Sequence, residues 1–506
     1  LGRMERAVVN MADGFSRISN GRRIGVCTVQ AGPGIENAFS GVAQAFADSV
    51  PILLLPGQAD RRRLGVQPNF DAVKNYQGVT KWVDRINFAD RVPEMMRRAF
   101  TCLRTGRPGP VMLEVPEDVA KEEFDDDAFH YTPVKATKSA GDPHDIEKVA
   151  KSLLAAATPL IHAGQGILYA QAWDELQELA ELLQAPVMTT LAGKSAFPEN
   201  HPLSVGMGAN TTTLAAHHFL EKSDLVFGIG CSFARKPLAA LIPSGTQMIQ
   251  CTVDARDLNK EYSIDQIIIG DAKLVLAQLI EEIRKQAGPE GRRSDDSKAR
   301  EIKAVREAWL AEWMPKLTSD EVPINPYRVI WDLMYAVDRT QTIGPHDSGN
   351  PRDQMAPFYE AVIPNGYIGW GKSTQLGYSL GLAMGAKIAA PDKLVVNVMG
   401  DGAVGMAGID FETAVREKIP ILTIILNNSA LGGYEKYLPT ATERYGTKFL
   451  SGNYAKVAEG LGAYNERVEK PTDIIPAIHR AKEAIQSGQP AILEMITREE
   501  GSFSIF

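Results

Sequence analysis

The stretch 393–434, KLVVNVMGDGAVGMAGIDFETAVREKIPILTIILNNSALGGY, decides the predicted fold. Residues 394–399 and 421–426 are short apolar runs rich in Val and Ile, as expected for strands that are buried on both faces. Residues 409–418 lie between them and are predicted to form a helix that ends before Pro420. A strand, a helix and a second strand at this spacing predict a right-handed crossover within a parallel sheet.

Polar residues follow both predicted strands. Asp401 comes directly after the first strand, between two glycines, and Asn428 comes after the second strand, 27 residues further on. Because neighbouring parallel strands end at the same edge of a sheet, we expect the two side chains to lie close together, where α/β sheets bind ligands. One carboxylate, one amide oxygen and a nearby carbonyl form a partial shell for Mg²⁺, which phosphate oxygens of a ligand complete. The glycines allow the backbone to approach such phosphates.

Length and composition indicate an ordinary globular protein. A chain of 506 residues predicts two to four domains, and its 44% hydrophobic and 23% charged residues are typical values. The net charge of −8 argues against general nucleic-acid binding. No apolar run reaches the roughly 18 residues of a membrane span, so we expect no membrane association, and no signal-peptide pattern is seen. The four cysteines are widely spaced and are expected to be free thiols in a reducing cytoplasm.

Alternating strands and helices predict an α/β fold with three doubly wound parallel-sheet domains, at 1–120, 145–285 and 323–506. Charged connecting stretches at 116–145 and 284–322 separate them. The chain begins at Leu1, so we expect the first domain to be incomplete at its N-terminus. The other predicted strands are 24–30, 52–55, 111–115, 159–162, 187–190, 225–229 and 248–253, and the other predicted helices are 3–17, 38–49, 92–103 and 299–313.

The GDG and NN turns at the ends of the two strands resemble the metal and diphosphate motif of thiamine-diphosphate-dependent enzymes. The three α/β units are similar to the pyrimidine-binding, central and diphosphate-binding domains of that family, and the branch they resemble is acetolactate synthase (acetohydroxyacid synthase). The local matches are MADGFSR at 11–17, AGPGIEN at 31–37, TGRPGPVMLEVPEDV at 105–119 and KSAFPENHPL at 194–203. The resemblance implies thiamine diphosphate and Mg²⁺ as cofactors, with Asp401, Asn428 and the carbonyl of Ala430 as metal ligands.

The resemblance also implies roles at the thiamine rings. Glu5 precedes Met11 by six residues, as does the family glutamate that hydrogen-bonds N1′ of the pyrimidine and favours the imino form of its 4′-amino group. Met4 stands where many relatives have His. Leu376 takes the place of the aliphatic wedge between the two rings, and the carbonyl of Thr374 accepts from the 4′-amino group. The residues expected at the diphosphate are Asn350, Gly400, Gly402, Ala403 and Val404.

Other positions are candidates for substrate or cofactor contacts. Gln30 ends a predicted strand, where relatives place a polar active-site group, and Asn37 closes the GPG turn and is a candidate cofactor contact. Asp347 is expected to fix a turn ahead of the wedge segment. The further candidates near the cofactor edge are His346, Arg352 and Tyr434.

The resemblance implies decarboxylation and carboligation of a small 2-oxo acid. Acetolactate-forming relatives usually have Phe-Gln-Glu where this chain has Phe70-Asp71-Ala72. This difference leaves open a thiamine-dependent C–C hydrolase or lyase that acts on a diketone or a 2-hydroxyacyl thioester, and a third alternative is an inactive scaffold. In the family, the residues equivalent to Glu5 and Asp401 come from different subunits, so the resemblance implies a homodimer or homotetramer with the active site at the subunit interface.

The central domain contains a weak dinucleotide-like pattern. Gly164 and Gly166 follow a predicted strand, but a single GxG is not specific. Flavin-bearing relatives carry a Gly-Ala-Arg-Phe-Asp-Asp-Arg type of segment, and residues 230–236 here read GCSFARK, without the acidic pair. We therefore expect no bound FAD, or only a vestigial flavin site.

Overall fold

The structure, a computed structural model, describes residues 1–125, 127, 129–235, 239–292, 296–369 and 371–506. Within these residues the strands form three separate sheets, and every strand pair is parallel. The predicted α/β class with three doubly wound parallel sheets is confirmed. None of the helices in these ranges is both long and apolar enough to cross a lipid bilayer.

The first sheet contains five strands among the described residues, in the order β1-β2-β5, with β3 and β4 both paired to β5. Its strands are β1 (Gly25–Cys27), β2 (Ile52–Leu54), β3 (Gly57–Gln58), β4 (Trp82–Arg85) and β5 (Val111–Pro116). Its α-helices are α1 (Glu5–Ile18), α2 (Pro33–Ala47), α3 (Ala72–Tyr76) and α4 (Val92–Arg104). The predicted strand 24–30 is therefore too long, because the chain leaves the sheet after Cys27 and turns into α2.

The second sheet has six strands in the order β11-β10-β9-β6-β7-β8 within the described ranges. Its strands are β6 (Pro159–Ala163), β7 (Val187–Thr189), β8 (Ser204–Met207), β9 (Leu225–Ile229), β10 (Gln247–Thr252) and β11 (Gln266–Ile269). Its helices are α5 (Pro143–Ala155), α6 (Gly166–Ala170), α7 (Trp173–Leu183), α8 (Leu214–Lys222) and α9 (Ala272–Ala287), and α10 (Ser297–Leu317) leads to the third sheet.

The third sheet has six described strands in the order β13-β12-β14-β15-β17-β16. They are β12 (Thr342–Pro345), β13 (Tyr367–Ile368), β14 (Leu394–Gly400), β15 (Leu422–Asn427), β16 (Tyr464–Val468) and β17 (Ala491–Ile496). The helices are α11 (Pro326–Ala336), α12 (Asn350–Phe358), α13 (Tyr378–Ala389), α14 (Asp401–Ala407), α15 (Phe411–Arg416), α16 (Tyr434–Tyr437), α17 (Pro439–Tyr445), α18 (Tyr454–Gly460) and α19 (Ile474–Gln486).

The two strands of the stretch 393–434 are neighbours, as predicted, but the crossover between them differs from the prediction. It starts at Asp401, directly after β14, and a 3₁₀ turn at Gly408–Asp410 separates α14 from α15. The predicted single helix 409–418 is therefore wrong. The carboxylate of Asp410 explains the break, because it is buried and accepts hydrogen bonds from the hydroxyl of Thr413 (2.8 Å) and from the backbone N–H of Arg3 (2.8 Å).

Glycines bring α1 of the first domain and α13 of the third domain into backbone contact. A Cβ atom on Gly14 would lie 2.2 Å from the carbonyl oxygen of Leu382, and one on Gly385 would lie 2.0 Å from the carbonyl oxygen of Met11. Such short distances to main-chain atoms leave no room for a side chain. The contact therefore fixes how the first domain sits on the third.

Replacing Gly385 with Ala is expected to lower the free energy of unfolding by about 1–3 kcal/mol, because the new methyl group forces the two helices apart. Gly460→Ala is a matched control at the end of another helix, where a Cβ meets nothing within 4 Å. Thermal unfolding monitored by circular dichroism measures both variants. Equal midpoints for Gly385→Ala and the wild type would contradict the close-packing interpretation.

Candidate active site

The carboxyl ends of β14 and β15 meet at the centre of the third sheet. Gly400 pairs with Leu426, so Asp401 and the turn that contains Asn428 leave the sheet at the same level. The backbone N–H groups of Ser429 and Ala430 lie close enough to the Asp401 carboxylate to lower its pKa. The structure therefore places the Asp401 carboxylate beside the turn that contains Asn428.

The Asp401 carboxylate has one satisfied and one unsatisfied oxygen. Its side chain is buried, at 3% exposure, and Oδ1 accepts a hydrogen bond of 2.9 Å from the backbone N–H of Gly402. Oδ2 is also buried and has no hydrogen-bond partner among the residues that the structure describes. Burial raises the pKa of Asp401 to about 6, and the neighbouring N–H groups oppose this shift.

The turn after β15 is held by its own side chains. Asn428 Oδ1 accepts from the backbone N–H of Ala430 at 3.0 Å, and Ser429 adopts a left-handed conformation with φ of +56°. No three His, Cys, Asp or Glu side chains converge as a metal-binding set in the described part of the chain. A cation here therefore depends on one carboxylate, on amide and carbonyl oxygens, and on oxygens of a ligand. This donor set and the unsatisfied Asp401 Oδ2 fit Mg²⁺.

A third loop, after β12, reaches the same edge of the sheet. Asn350 begins α12 after Gly349, whose φ is +74°. A Cβ atom on Gly432 would lie 2.9 Å from Asn350 Nδ2, and one on Gly402 would lie 2.6 Å from Leu431 Cδ2. The glycines at this edge thus let three loops approach one another, and they leave backbone rather than side chains beside Asp401.

The segment with Thr374 and Leu376 connects β13 to α13 and has no regular secondary structure from Gly371 to Gly377. The hydroxyl of Ser348 donates to the carbonyl of Thr374 at 3.1 Å, so this carbonyl already has one partner. Thr374 is exposed, and Leu376 is half-buried against the core of the third domain. Trp370, within the same predicted wedge segment, lies outside the described residues.

Asp347 holds this segment from one side. Its fully buried carboxylate accepts from the backbone N–H groups of Ser348 (2.8 Å), Gly377 (3.0 Å) and Ser379 (2.9 Å), and from the hydroxyl of Ser379 (2.7 Å). Burial raises the pKa of Asp347, and these donors oppose the shift. Asp347 thus joins the loop after β12 to the start of α13, a wider role than the single turn predicted from the sequence.

The candidates of the first domain lie at the start of α1 and α2. Glu5 is half-buried and its Oε2 accepts from Asn37 Nδ2 at 3.3 Å, so two predicted site residues are in contact. Asn37 is exposed on α2, which begins at Pro33, and it does not close the preceding turn as predicted. Gln30 is exposed and lies three residues beyond the end of β1, so it does not end a strand.

Two of the three further candidates near this edge are buried. The ring of His346 is fully buried, its pKa is lowered to about 3 by burial, and it stacks on Tyr367 with ring centroids 5.2 Å apart. Arg352 forms a two-pronged ion pair with its neighbour Asp353. Tyr434, at 42% exposure, is open to solvent. Burial therefore disfavours the charged form of His346, and its ring packs on Tyr367.

A cavity of about 650 Å³ lies between the first and central domains, and Gly371 and Lys372 of the third domain also line it, whereas Asp401 does not. Its cationic lining residues are Arg22, Arg104, Arg107, Lys138 and Lys372. Gly164 and Gly166 pack against the backbone at Gly230 and Cys231, where a Cβ on either glycine would come within 2.6 Å of main-chain atoms. These glycines therefore serve contact between two loops. Lys236, the last residue of the predicted flavin-type segment, lies outside the described residues.

Family models and relatives match this architecture. The thiamine pyrophosphate (thiamine diphosphate) enzyme models match as the N-terminal TPP binding domain at 1–81, the central domain at 146–279 and the C-terminal TPP binding domain at 347–495. The "Probable acetolactate synthase large subunit" of Methanococcus aeolicus is 31% identical over 100% of this chain and 86% of its own length. The "Glyoxylate carboligase" of Escherichia coli O157:H7 is 31% identical over 100% of this chain and 87% of its own.

A solved structure supports the fold. The crystal structure of benzoylformate decarboxylase from Polynucleobacter necessarius has a TM-score of 0.81 with this chain at 21% identity, covering 99% of this chain and 92% of that one. The three matched models appear in chain order, and each covers strands of one of the three sheets described above. The protein is thus a thiamine-diphosphate-dependent enzyme that breaks or forms C–C bonds next to a carbonyl group. The chain belongs to the thiamine pyrophosphate enzyme family, and within it to the acetolactate synthase-like proteins.

Proposed function

We propose that Asp401, Asn428 and the carbonyl of Ala430 bind Mg²⁺, and that the surrounding loops bind the diphosphate of thiamine diphosphate. The observation that carries this proposal is Asp401 Oδ2, a buried carboxylate oxygen that has no hydrogen-bond partner within the described residues. An unpartnered buried oxygen is costly, and a divalent cation supplies the missing contact. Phosphate oxygens would complete the octahedron around the ion. The proposed diphosphate contacts are Asn350, Gly400, Gly402, Ala403 and Val404.

Other residues of the chain would orient the rings of the cofactor. When bound, thiamine diphosphate supplies a carbon nucleophile for a substrate carbonyl. We propose that the carboxyl group of Glu5 shares a proton with N1′ of the pyrimidine. Asn37, which donates a hydrogen bond to Glu5, would orient this carboxyl group. Leu376 would separate the two rings, and the Thr374 carbonyl has a second lone pair beside the one that Ser348 uses. Gln30, which is exposed and precedes Asn37 by seven residues, would contact the substrate.

The substrate we propose is a small 2-oxo acid, which the enzyme decarboxylates and joins to a second carbonyl compound. The names of the two relatives support carboligation. Segment 70–72 favours the alternative, a C–C hydrolase or lyase on a diketone or a 2-hydroxyacyl thioester. Asp71 accepts from the backbone N–H of Lys74 at 3.1 Å and caps α3, and Ala72 is fully buried, so both positions serve the helix.

We also propose the assignment of the domains and the location of the protein. Residues 1–120 would bind the pyrimidine, 145–285 form the central domain and 323–506 bind the diphosphate and Mg²⁺. The three described sheets fall within these ranges and support the boundaries. All four cysteines are free thiols, which supports the reducing cytoplasm.

A homodimer or homotetramer would complete the site, with Glu5 of one subunit facing Asp401 of another. Large apolar side chains support this proposal, because they are exposed both in the first domain, which carries Glu5, and in the third domain, which carries Asp401. On α2, Phe39 is 37% and Phe46 42% exposed. Met406 on α14 is 41% exposed, and Ile409 in the 3₁₀ turn after α14 is 49% exposed. Exposed apolar groups next to a site indicate a contact surface, and a second copy of the chain would cover them.

Asp401→Asn is expected to weaken Mg²⁺-dependent binding of thiamine diphosphate by at least about tenfold, since losing a residue that only supports a metal ligand already costs about 10–100-fold in metal affinity. Isothermal titration with and without Mg²⁺ measures the affinity. Asp392→Asn, exposed at the opposite end of β14, is the matched control and should bind as the wild type does. Equal affinities for the two variants would remove Asp401 from the metal site.

Glu5→Gln should slow product formation about 10²–10⁴-fold, because the amide cannot hold the proton at N1′, while the cofactor still binds. Glu36→Gln, an exposed neighbour of Asn37, is the control. Mass spectrometry of products from pyruvate, from glyoxylate and from diketones gives both the rate and the reaction class. Carboligation products support the 2-oxo acid proposal, cleavage products alone support the hydrolase or lyase, and the absence of product and of cofactor binding points to a scaffold.

Mixing the Glu5→Gln and Asp401→Asn proteins tests the shared site when thiamine diphosphate is kept too dilute to bind the Asp401→Asn protein. If each site takes Glu5 and Asp401 from different subunits, each mixed dimer has one intact site, and random exchange restores about a quarter of the wild-type activity. Subunits are exchanged by mild dissociation and reassociation, and each variant mixed with itself is the control. If the mixture stays inactive although mixed dimers form, both residues belong to one subunit.

A further inference from the structure

The segment that carries Thr374 and Leu376 is also held from the first domain, by the carboxylate of Asp48. This residue follows α2 and is 2% exposed. It accepts from the backbone N–H of Gly371, with both oxygens at 3.1–3.2 Å, and from that of Lys372 at 3.0 Å. Two backbone donors of an irregular segment thus find their partner on another domain.

Charged and polar neighbours hold Asp48 in place. Arg17 Nη2 donates to Asp48 at 3.0 Å, and Arg17 Nη1 donates to the carbonyl of Gly369 at 2.7 Å. Gln44 Nε2 donates to Asp48 at 3.0 Å. Arg17 is buried, which opposes its charge, yet the nearby carboxylates of Asp13 and Asp48 hold its pKa well above the ordinary value. The guanidinium of Arg17 therefore holds the segment at Gly369, and the carboxylate of Asp48 holds it at Gly371 and Lys372.

A second contact extends the same network to the end of the segment. Asp13 forms a 2.6 Å ion pair with Arg17, and the hydroxyl of Tyr378 donates to Asp13 at 2.8 Å. Tyr378 is the first residue of α13. The network therefore fixes both ends of the stretch between Gly369 and Tyr378, and the exposed Thr374 and half-buried Leu376 lie between them.

We propose that Asp48 is a positioning residue for the cofactor site, which sets the Thr374 carbonyl and the Leu376 side chain through the backbone of residues 371–372. The inference rests on the proposed function for its consequence but on the observed contacts for its mechanism. Ordering an irregular segment costs backbone conformational entropy. If Asp48 already holds residues 371–372 in the free protein, less of this entropy is lost when the ligand binds, and the ligand binds more tightly. Asp48 would thus act on the site without touching substrate or cofactor.

The chemistry of the contacts requires a carboxylate. Asp48 receives two backbone N–H groups, one guanidinium and one side-chain amide. Two carboxylate oxygens offer about four lone pairs for these donors, whereas Asn has one acceptor oxygen and would turn an NH₂ group toward the other donors. Asp48→Asn therefore removes hydrogen bonds to the backbone of residues 371–372 while keeping the size of the side chain.

Hydrogen exchange of the cofactor-free protein tests the mechanism. In Asp48→Asn, the amides of Gly371 and Lys372 are expected to exchange at least about tenfold faster than in the wild type. Asp332→Asn is the matched control, because Asp332 is also buried and paired with an arginine but lies on α11. It should leave these amides unchanged. Unchanged exchange in a folded Asp48→Asn protein overturns the proposal, whatever the cofactor proves to be.

Ligand binding and turnover test whether Asp48 affects the cofactor site. With Mg²⁺ present, Asp48→Asn should bind inorganic pyrophosphate as the wild type does, bind thiamine diphosphate about tenfold more weakly and turn over about 10²-fold more slowly, since small misplacements of reacting groups have effects of this size. A general loss of fold would weaken both ligands together and would contradict a positioning role. If wild-type protein does not bind thiamine diphosphate, the proposed function fails. The exchange experiment still tests whether Asp48 holds the backbone of residues 371–372.

Gln44→Leu provides a second variant for the case in which Asp48→Asn does not fold. It removes one bond that orients Asp48 and keeps the charge, and the Oε1 atom of Gln44 has no partner to lose within the described ranges. We expect the same pattern with smaller changes: faster exchange at 371–372 and weaker binding of thiamine diphosphate, with unchanged binding of pyrophosphate. Wild-type behaviour of Gln44→Leu in all of these measurements would contradict the proposal when Asp48→Asn is unfolded.

Discussion

The parallel pairing of β14 with β15 is the constraint on which the rest of the site depends. Because Gly400 pairs with Leu426, the first residues beyond each strand leave the sheet side by side. Flanking strands β12 and β17 hold this pair in the middle of the sheet, where it cannot fray. The pairing therefore places the Asp401 carboxylate, with one buried oxygen that has no hydrogen-bond partner among the described residues, beside the turn that contains Asn428. The proposed cation site rests on this arrangement.

Buried carboxylates hold the irregular segments near this edge of the third sheet. Asp347 gathers the donors of the loop after β12 and of the start of α13, and Asp48 gathers those of residues 371–372. Backbone N–H groups in such segments have no strand partner, and a buried donor without an acceptor is costly. An acid at each of these positions satisfies several donors at once. The segment between them can therefore remain irregular, with Thr374 exposed, and still keep one conformation.

The first and third domains of one chain are joined by backbone contact as well as by charge. Gly14 and Gly385 let α1 and α13 approach until main chain meets main chain, and Arg17 on α1 donates to Gly369 across the same boundary. The apolar side chains of Phe39 and Phe46 on α2, of Met406 on α14 and of Ile409 after α14 remain exposed beside this boundary. The proposed contact with a second subunit rests on them.

The sequence by itself determined the α/β class, the two central strands and the meeting of Asp401 with Asn428, because these features follow from short apolar runs, turn residues and the rules of parallel crossovers. It did not determine where the crossover helix begins, because the Gly- and Ala-rich stretch after Asp401 is helical only when Ala403 and Ala407 are buried in the core. It also gave no sign of the network of Asp13, Arg17 and Asp48. Those residues look like solvated charges along the chain, and only the packing of the first domain against the third removes them from water and turns them into partners.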